Sequence, residues 1–218
     1  MVVMLEKNKK IVDCYAYPVT TVLIVGALVT FFCQELSDIL VYDRSLILSG
    51  EIWRLLSGSL VHFSKGHLLS DLLTFAVSGL IIESRRYSGF GILCVISAVG
   101  VGVVSLLFLP DMYRYGGLSA IGISAITYLC LFSLIKNEPK RWIYFIILLL
   151  TAFKIIHEIA TGQMLFASAD NTSIVPVPLA HLTGIIVAIL FFVLKTRTQK
   201  HYCPTSAWSR RREKCGFS

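Results

Sequence analysis

Long apolar runs constrain this chain more than any other feature of its sequence. Several of them approach the ~20 residues that a helix needs to cross a bilayer. Only 15% of the residues are charged, whereas a soluble domain usually carries about 25%. The runs are continuous rather than alternating, which disfavours a β-barrel. The sequence therefore predicts an all-α, polytopic membrane protein.

The apolar runs predict six membrane-spanning helices in one domain. The predicted spans cover about 18–32 (extending toward residue 40), 67–82, 90–109, 118–135, 142–159 and 179–194. A signal peptide is the competing interpretation of the first run, but no small-residue cleavage site follows it, so we expect an uncleaved span. Residues 1–17 then form an N-terminal segment, 18–195 the membrane domain and 196–218 a basic tail. We expect the mixed segment 38–66 to be a structured loop at the interface.

Basic residues set the expected orientation. They are concentrated in the N-terminal segment, in the short connections 83–89 and 136–141, and in the C-terminal tail. With six spans, all of these segments lie on one side, which the positive-inside rule makes cytoplasmic. Both termini are then cytoplasmic, and the connections 38–66, 110–117 and 160–178 are external.

The net charge and the spacing of the cysteines argue against nucleic-acid binding, a disulfide framework and a metal site. The net charge is +7, and in a membrane protein basic residues first report topology, so we expect no nucleic-acid partner. The six cysteines are scattered and none makes a CxxC pair. We therefore expect neither a disulfide framework nor a metal site.

Three polar side chains begin inward-going spans at the same outer level. His67 opens the second span, Ser119 the fourth and His181 the sixth. Intramembrane polar groups usually face the interior of a bundle and mark function. A serine hydroxyl becomes a nucleophile when a histidine accepts its proton. We therefore expect Ser119 and His181 to form a catalytic pair.

Each of these residues also has an ordinary structural interpretation, as a helix cap, a packing residue or a bond between helices. Gly117 and Gly184 favour catalysis, because small residues let the fourth and sixth helices approach closely. No carboxylate is obviously placed to orient His181, so the sequence predicts a Ser–His dyad rather than a triad. Lys154 and Glu158 are expected to snorkel or to form an i,i+4 ion pair.

The order of these residues resembles that of the rhomboid intramembrane serine proteases. The resemblance covers about residues 45–195 and is carried by Trp53-Arg54, His62, His67, Gly117-Leu118-Ser119 and Ala180-His181-Leu182-Thr183-Gly184. It implies a six-helix bundle with Ser119 as nucleophile, His181 as general base and His67 on the oxyanion side. It further implies a cofactor-free endopeptidase of a bacterial inner membrane that cuts single-span proteins near the outer face of the bilayer.

Finer features resemble the rhombosortase branch of this family. They are the compact six-span form, the run Tyr115-Gly116-Gly117-Leu118-Ser119 and the stretch from Lys154 to Glu158. That branch is associated with bacterial proteins that carry a C-terminal Gly-Gly, a transmembrane helix and a basic cluster. The resemblance therefore implies processing of such sorting signals.

Asp71 departs from the family pattern, which has an asparagine four residues after His67. An amide there donates to the oxyanion, whereas an ionised carboxylate only accepts and repels it. Three hypotheses follow: Asp71 is protonated, as burial favours; it turns toward His67 or another donor; or the chain is a weak protease or a pseudoprotease that binds membrane helices. A proton-relaying transporter ranks last, because the broken helices or repeats of that class are not evident.

Overall fold

The computed structural model describes residues 17–136, 140–162 and 177–202, with side chains described to residue 198. Within these ranges the chain forms α1 (Pro18–Phe32), α2 (Gln34–Leu40), α3 (Arg44–Leu48), α4 (Arg54–Ser57), α5 (Lys65–Ser84), α6 (Phe90–Phe108), α7 (Ser119–Ile135), α8 (Arg141–Thr161) and α9 (Pro178–Tyr202). A 3-10 turn, Gly58–Leu60, follows α4. The predicted segment 1–16, most of the connection 160–178 and the tail beyond residue 202 lie outside the described residues.

Four helices, α5, α6, α8 and α9, are long and apolar enough to cross a membrane. Together α1 and α2 pass the same test, and α7 is apolar but has only 17 residues. The described chain therefore has four candidate spans, or five with the bent pair, and is an all-α, multi-pass membrane protein. A count of six requires α7 as a further span and stays a prediction.

The structure differs from the predicted spans at the first and last helices. The first span was expected to extend toward residue 40, but at Cys33 the backbone is extended and α2 bends away from α1 by 115°. The polar residues at the start of α2 favour a course away from the bilayer core. The last helix continues past the predicted end at residue 194 to Tyr202, because lysine, arginine and glutamine are good helix formers outside the membrane as well.

Short elements build the loop over residues 38–66, which the sequence predicted to be structured. Asp43 caps α3 by accepting hydrogen bonds from the backbone N–H groups of Ser45 and Leu46. Strand β1 (Tyr42–Asp43) pairs antiparallel with β2 (Arg114–Tyr115), so that Tyr42 lies opposite Tyr115. The pairing attaches this loop to the segment that immediately precedes Ser119.

Helix α7 lies at the centre of the bundle, where it packs against α5, α6, α8 and α9. Large buried side chains from three of these helices fill the space around it, among them Phe75, Leu93 and Phe192. Helix α8 is the least enclosed, with Leu150 and Phe153 more than half exposed. In a bilayer, exposed apolar side chains of this kind contact lipid.

Basic side chains gather at the end of the bundle opposite the β1–β2 pair. Arg85 donates to the hydroxyls of Ser133 (3.0 Å) and Tyr144 (2.7 Å). Lys195 donates to the carbonyl oxygen of Ser88 at 2.6 Å. The end of α5, the end of α7, the start of α8 and the polar half of α9 therefore meet at this basic end.

The start of α1 lies at the same end. Glu83, from the last turn of α5, accepts hydrogen bonds from the backbone N–H groups of Val19 and Thr20, each at 3.0 Å. These two groups belong to the unpaired N–H donors that every helix leaves at its N-terminus. A half-buried carboxylate thus caps α1 at the end of the bundle opposite the β1–β2 pair.

Candidate active site

The loop before α7 holds Ser119 at the first position of that helix. Gly117 has φ +139, a backbone conformation that side chains rarely tolerate. A Cβ atom at Gly117 would lie 2.7 Å from Cε1 and 2.8 Å from Nε2 of His67. Only glycine therefore lets this loop pass directly against the His67 ring, and the close passage fixes where Ser119 begins the helix.

The structure brings Ser119 and His181 together, as the sequence predicts. His181 lies in the first turns of α9, is 5% exposed, and places Nε2 3.0 Å from Ser119 Oγ. One turn later, a Cβ atom at Gly184 would overlap the carbonyl oxygen of Ala120. Helices α7 and α9 are thus in backbone contact beside the serine, which is the close approach expected of a glycine at this position.

A carboxylate contacts the other nitrogen of His181. Glu158 of α8 places Oε2 2.7 Å from His181 Nδ1, and its Oε1 accepts from Lys154 Nζ at 2.5 Å. The expected Lys154–Glu158 ion pair is confirmed, whereas the prediction that no carboxylate lies near His181 is wrong. Spacing alone could not reveal this contact, because it joins helices separated by a long connection. The signal available in the sequence was an acidic residue, Glu158, within the mostly apolar helix α8.

Asp71 faces two imidazoles. Its Oδ2 lies 3.2 Å from Nε2 of His62 and 3.2 Å from Nε2 of His67, and all three side chains are buried. Of the three sequence hypotheses for Asp71, this geometry fits the one in which the carboxylate turns toward histidine. The backbone N of Leu118 lies 3.3 Å from the same His62 Nε2, a nitrogen that can accept from Leu118 or donate to Asp71 but not both at once. His62, expected only as part of a motif, therefore links Asp71 to the loop that carries the serine.

One imidazole nitrogen in this cluster has no hydrogen-bond partner among the described residues. His67 Nδ1 is buried and makes no hydrogen bond to any residue that the structure describes. His62 Nδ1, by contrast, lies 3.1 Å from the carbonyl oxygen of Leu60. A buried imidazole nitrogen without a partner carries a desolvation cost.

A cavity of 390 Å³ opens onto these residues. Its polar wall consists of His67, Ser70, Asp71, Thr74, Ser119, Thr151, Lys154, Glu158 and His181. Its apolar wall includes Ile123 and Ile126 of α7 and Ile147, Leu150 and Phe153 of α8. A larger cavity of 470 Å³ lies between α1, α2 and Leu60 and is lined by no ionisable side chain. Of these two cavities, the one of 390 Å³ alone combines an apolar surface with reactive groups.

Trp53 and Arg54 lie in the loop over residues 38–66, away from the serine. Arg54 is buried and donates to the backbone carbonyl oxygens of Asp38 (2.9 Å) and Val41 (2.8 Å), while its Nε contacts Glu51 at 2.7 Å. Trp53 is half exposed. Arg54 thus stabilises the loop. It is connected to the site through the β1–β2 pair, which attaches the loop to the segment before Ser119.

The family follows from a comparison of the whole chain. A family model for the rhomboid domain matches residues 49–198, which is more than half of the chain and includes every residue of the site. The protein belongs to the rhomboid family. Rhomboids are generally serine intramembrane proteases that act on transmembrane substrates within the bilayer, and some are pseudoproteases. The cavity of this rhomboid, with its serine, imidazole and carboxylate, is therefore its candidate active site.

Proposed function

We propose that this rhomboid is an intramembrane serine endopeptidase in which Ser119 is the nucleophile and His181 the general base. The observation that carries the proposal is the 3.0 Å contact between Ser119 Oγ and His181 Nε2 at the mouth of a cavity. A base at hydrogen-bond distance is what converts a hydroxyl into a nucleophile. The comparison with the family supports the same reaction class.

The loop and helix around Ser119 offer stabilisation for the oxyanion. Ser119 begins α7, where the helix dipole is positive and backbone N–H groups are unpaired by helical bonds. His67 lines the cavity beside it. The backbone N–H groups at the start of α7 are the proposed oxyanion donors, because the carboxylate of Asp71 is engaged with His62 and His67.

The proposed substrate is a single membrane-spanning helix cut near the outer face of the bilayer. The basic end of the bundle supports a cytoplasmic location for both termini, which puts the site at the external end. The apolar wall contributed by α8 includes exposed side chains, so a membrane helix has lateral access to the cavity. Because a helical backbone buries its peptide bonds, we expect small or helix-weakening residues at the cleavage site.

Within this class we propose C-terminal sorting signals as substrates: a Gly-Gly, a transmembrane helix and a basic cluster. The proposal rests on the resemblance of residues 115–119 and 154–158 to the rhombosortase branch. A reporter with this tripartite tail should be cut, and its variant with Gly-Gly→Val-Val should be cut far more slowly. Equal cleavage of both reporters would leave the endopeptidase proposal standing and remove the sorting-signal specificity.

Reconstitution with a single-span substrate tests the proposed reaction. The parent should release a fragment cut near the outer boundary and should label at Ser119 with a fluorophosphonate. Ser119→Ala should do neither, and His181→Ala should lose at least 10³-fold in rate. If Ser119→Ala cleaves as fast as the parent, the proposed function fails.

One observation favours a second function, a pseudoprotease that binds membrane helices without cutting them. It is the carboxylate of Asp71 beside the cavity that would hold the oxyanion. This alternative predicts no labelling of Ser119 in the parent and recovery of intact substrate in complex. It also predicts that Asp71→Asn creates labelling, whereas the protease proposal predicts no gain and a loss of stability from the broken carboxylate–histidine contacts.

A further inference from the structure

We propose that Glu158 is a positioning residue that completes a Ser119–His181–Glu158 triad, with Lys154 holding its second oxygen. The inference rests on the proposed serine protease function and adds a residue to that site. Both carboxylate oxygens are used: Oε2 lies 2.7 Å from His181 Nδ1, and Oε1 contacts Lys154 Nζ. The Glu158 side chain is 1% exposed.

The first role of Glu158 is to select the tautomer of His181. An ionised carboxylate only accepts hydrogen bonds, so Nδ1 must carry the proton. Nε2 then presents its lone pair to Ser119 Oγ, 3.0 Å away. Without the carboxylate, a neutral imidazole is free to hold its proton on Nε2. In that form His181 could not accept the proton of Ser119.

The second role appears during the reaction. When Ser119 Oγ bonds to the carbonyl carbon of the substrate, its proton moves to Nε2 and His181 becomes a cation. The cation forms in a buried site, where an uncompensated charge is costly, and the Glu158 carboxylate opposes it. The proton then passes from Nε2 to the leaving amine as the peptide bond breaks. In the second half, a water molecule gives a proton to Nε2 as its oxygen bonds to the acyl carbon. The bond from that carbon to Ser119 Oγ then breaks, the proton passes from Nε2 to Oγ, and the product leaves with a free carboxyl group.

Lys154 explains how a carboxylate can stay ionised at this depth. Its ammonium group lies one helical turn before Glu158 and compensates the charge in the resting site. Lys154 is itself only partly buried, with its side chain 22% exposed, so part of the charge remains near solvent. Buried ion pairs stay charged when each partner has further hydrogen bonds, and Glu158 has one to each neighbour.

The kinetic test compares Glu158→Gln, Glu158→Asp and Lys154→Met by their rate constants for fluorophosphonate labelling and by kcat and KM for a single-span substrate. Loss of the carboxylate should lower labelling and kcat by roughly 10³- to 10⁴-fold with KM little changed. Glu158→Asp should recover part of the rate, because it restores the acceptor. Lys154→Met should lose less than Glu158→Gln, because the contact to His181 persists.

The matched control is Glu83→Gln. Glu83 is also a carboxylate that accepts from two neighbours, but it caps α1 at the basic end. Its variant should lose thermal stability and keep the labelling rate of the folded protein. A comparable rate loss in both variants would reduce Glu158 to a structural residue and overturn the proposal.

The tautomer itself is measured by ¹⁵N NMR of histidine-labelled protein, with His181 assigned by the signal missing from His181→Gln. The parent should show a protonated Nδ1 and Glu158→Gln should not. An Nε2–H tautomer in the parent would overturn the proposal even if the Glu158 variants do not fold. If Ser119→Ala is inactive but folded Glu158→Gln labels as fast as the parent, the triad proposal fails and the protease proposal holds. If Ser119→Ala is active, the protease proposal itself fails.

Discussion

Two tyrosine hydroxyls near the β1–β2 pair are buried without a hydrogen bond to any described residue. They belong to Tyr42 and Tyr115, whose rings meet edge to face at 6.3 Å across the β1–β2 pair. Burial raises the pKa of both hydroxyls, so they stay neutral. An unpaired hydroxyl that leaves water contributes a cost rather than a gain. The rings, and not the hydroxyls, therefore stabilise this contact.

Removing the Tyr42 hydroxyl should leave the free energy of unfolding unchanged or slightly higher. Tyr128 supplies the comparison, because it is equally buried but donates to the carbonyl oxygen of Ser88 at 2.9 Å. Tyr128→Phe should lower the stability by about 1 kcal/mol. Denaturation of Tyr42→Phe and Tyr128→Phe in one detergent measures both. A larger loss for Tyr42→Phe would mean that its hydroxyl has a partner in solution.

Gly117 should be far less replaceable than another glycine with a similar backbone. Gly50 has φ +118 and open space around its Cβ position, whereas at Gly117 the added atom would meet His67. Alanine at either position should introduce backbone strain of about 1–3 kcal/mol. Only Gly117→Ala should also displace the His67 ring and abolish labelling of Ser119. Thermal unfolding and fluorophosphonate labelling separate the two effects, and full labelling of Gly117→Ala would contradict the described loop.

At the scale of the helices, the distance between α7 and α9 controls the distance between serine and imidazole. Gly184→Ala must move the helices apart, because its Cβ would overlap the Ala120 carbonyl oxygen. Gly100, where α6 meets α9, has ordinary contacts of 3.5 Å and longer at its Cβ position. A displacement near 1 Å costs about 10²-fold in rate. Labelling should therefore fall about 10²-fold in Gly184→Ala and change little in Gly100→Ala; equal rates would show that the bundle absorbs the methyl group.

The helices also show what the sequence could reveal. Apolar runs predicted the bounds of the helices now called α5 to α8 to within two residues, because burial in lipid and helix formation select the same side chains. The hydropathy of the sequence could not reveal the bend at Cys33, because hydropathy reports how apolar a helix is and not in which direction it runs. The Ser119–His181 pair was predictable because both residues lie at the start of apolar runs that the predicted topology brings to the same level. The Glu158 contact was not, because it depends on how α8 is rotated about its axis.

For the whole molecule, charge is segregated along the axis of the bundle. Arg85 and Lys195 lie at one end, while Ser119 and His181 lie toward the other. The positive-inside rule then predicts that the basic end faces the cytoplasm. In a bacterial host, a fluorescent protein fused to the C-terminus should fluoresce and a periplasmic phosphatase fused there should be inactive. The same phosphatase inserted near Asp111 should be active. The reverse pattern would place the site on the cytoplasmic side.

The distribution of the site over the chain has a consequence for biosynthesis. Ser119 belongs to α7 and its imidazole partner to α9, with α8 and a long connection between them. A growing chain that has not yet reached Pro178 holds the hydroxyl but lacks the group that would activate it. Whatever reaction this pair performs is therefore withheld until the chain has been synthesised through the first turns of α9.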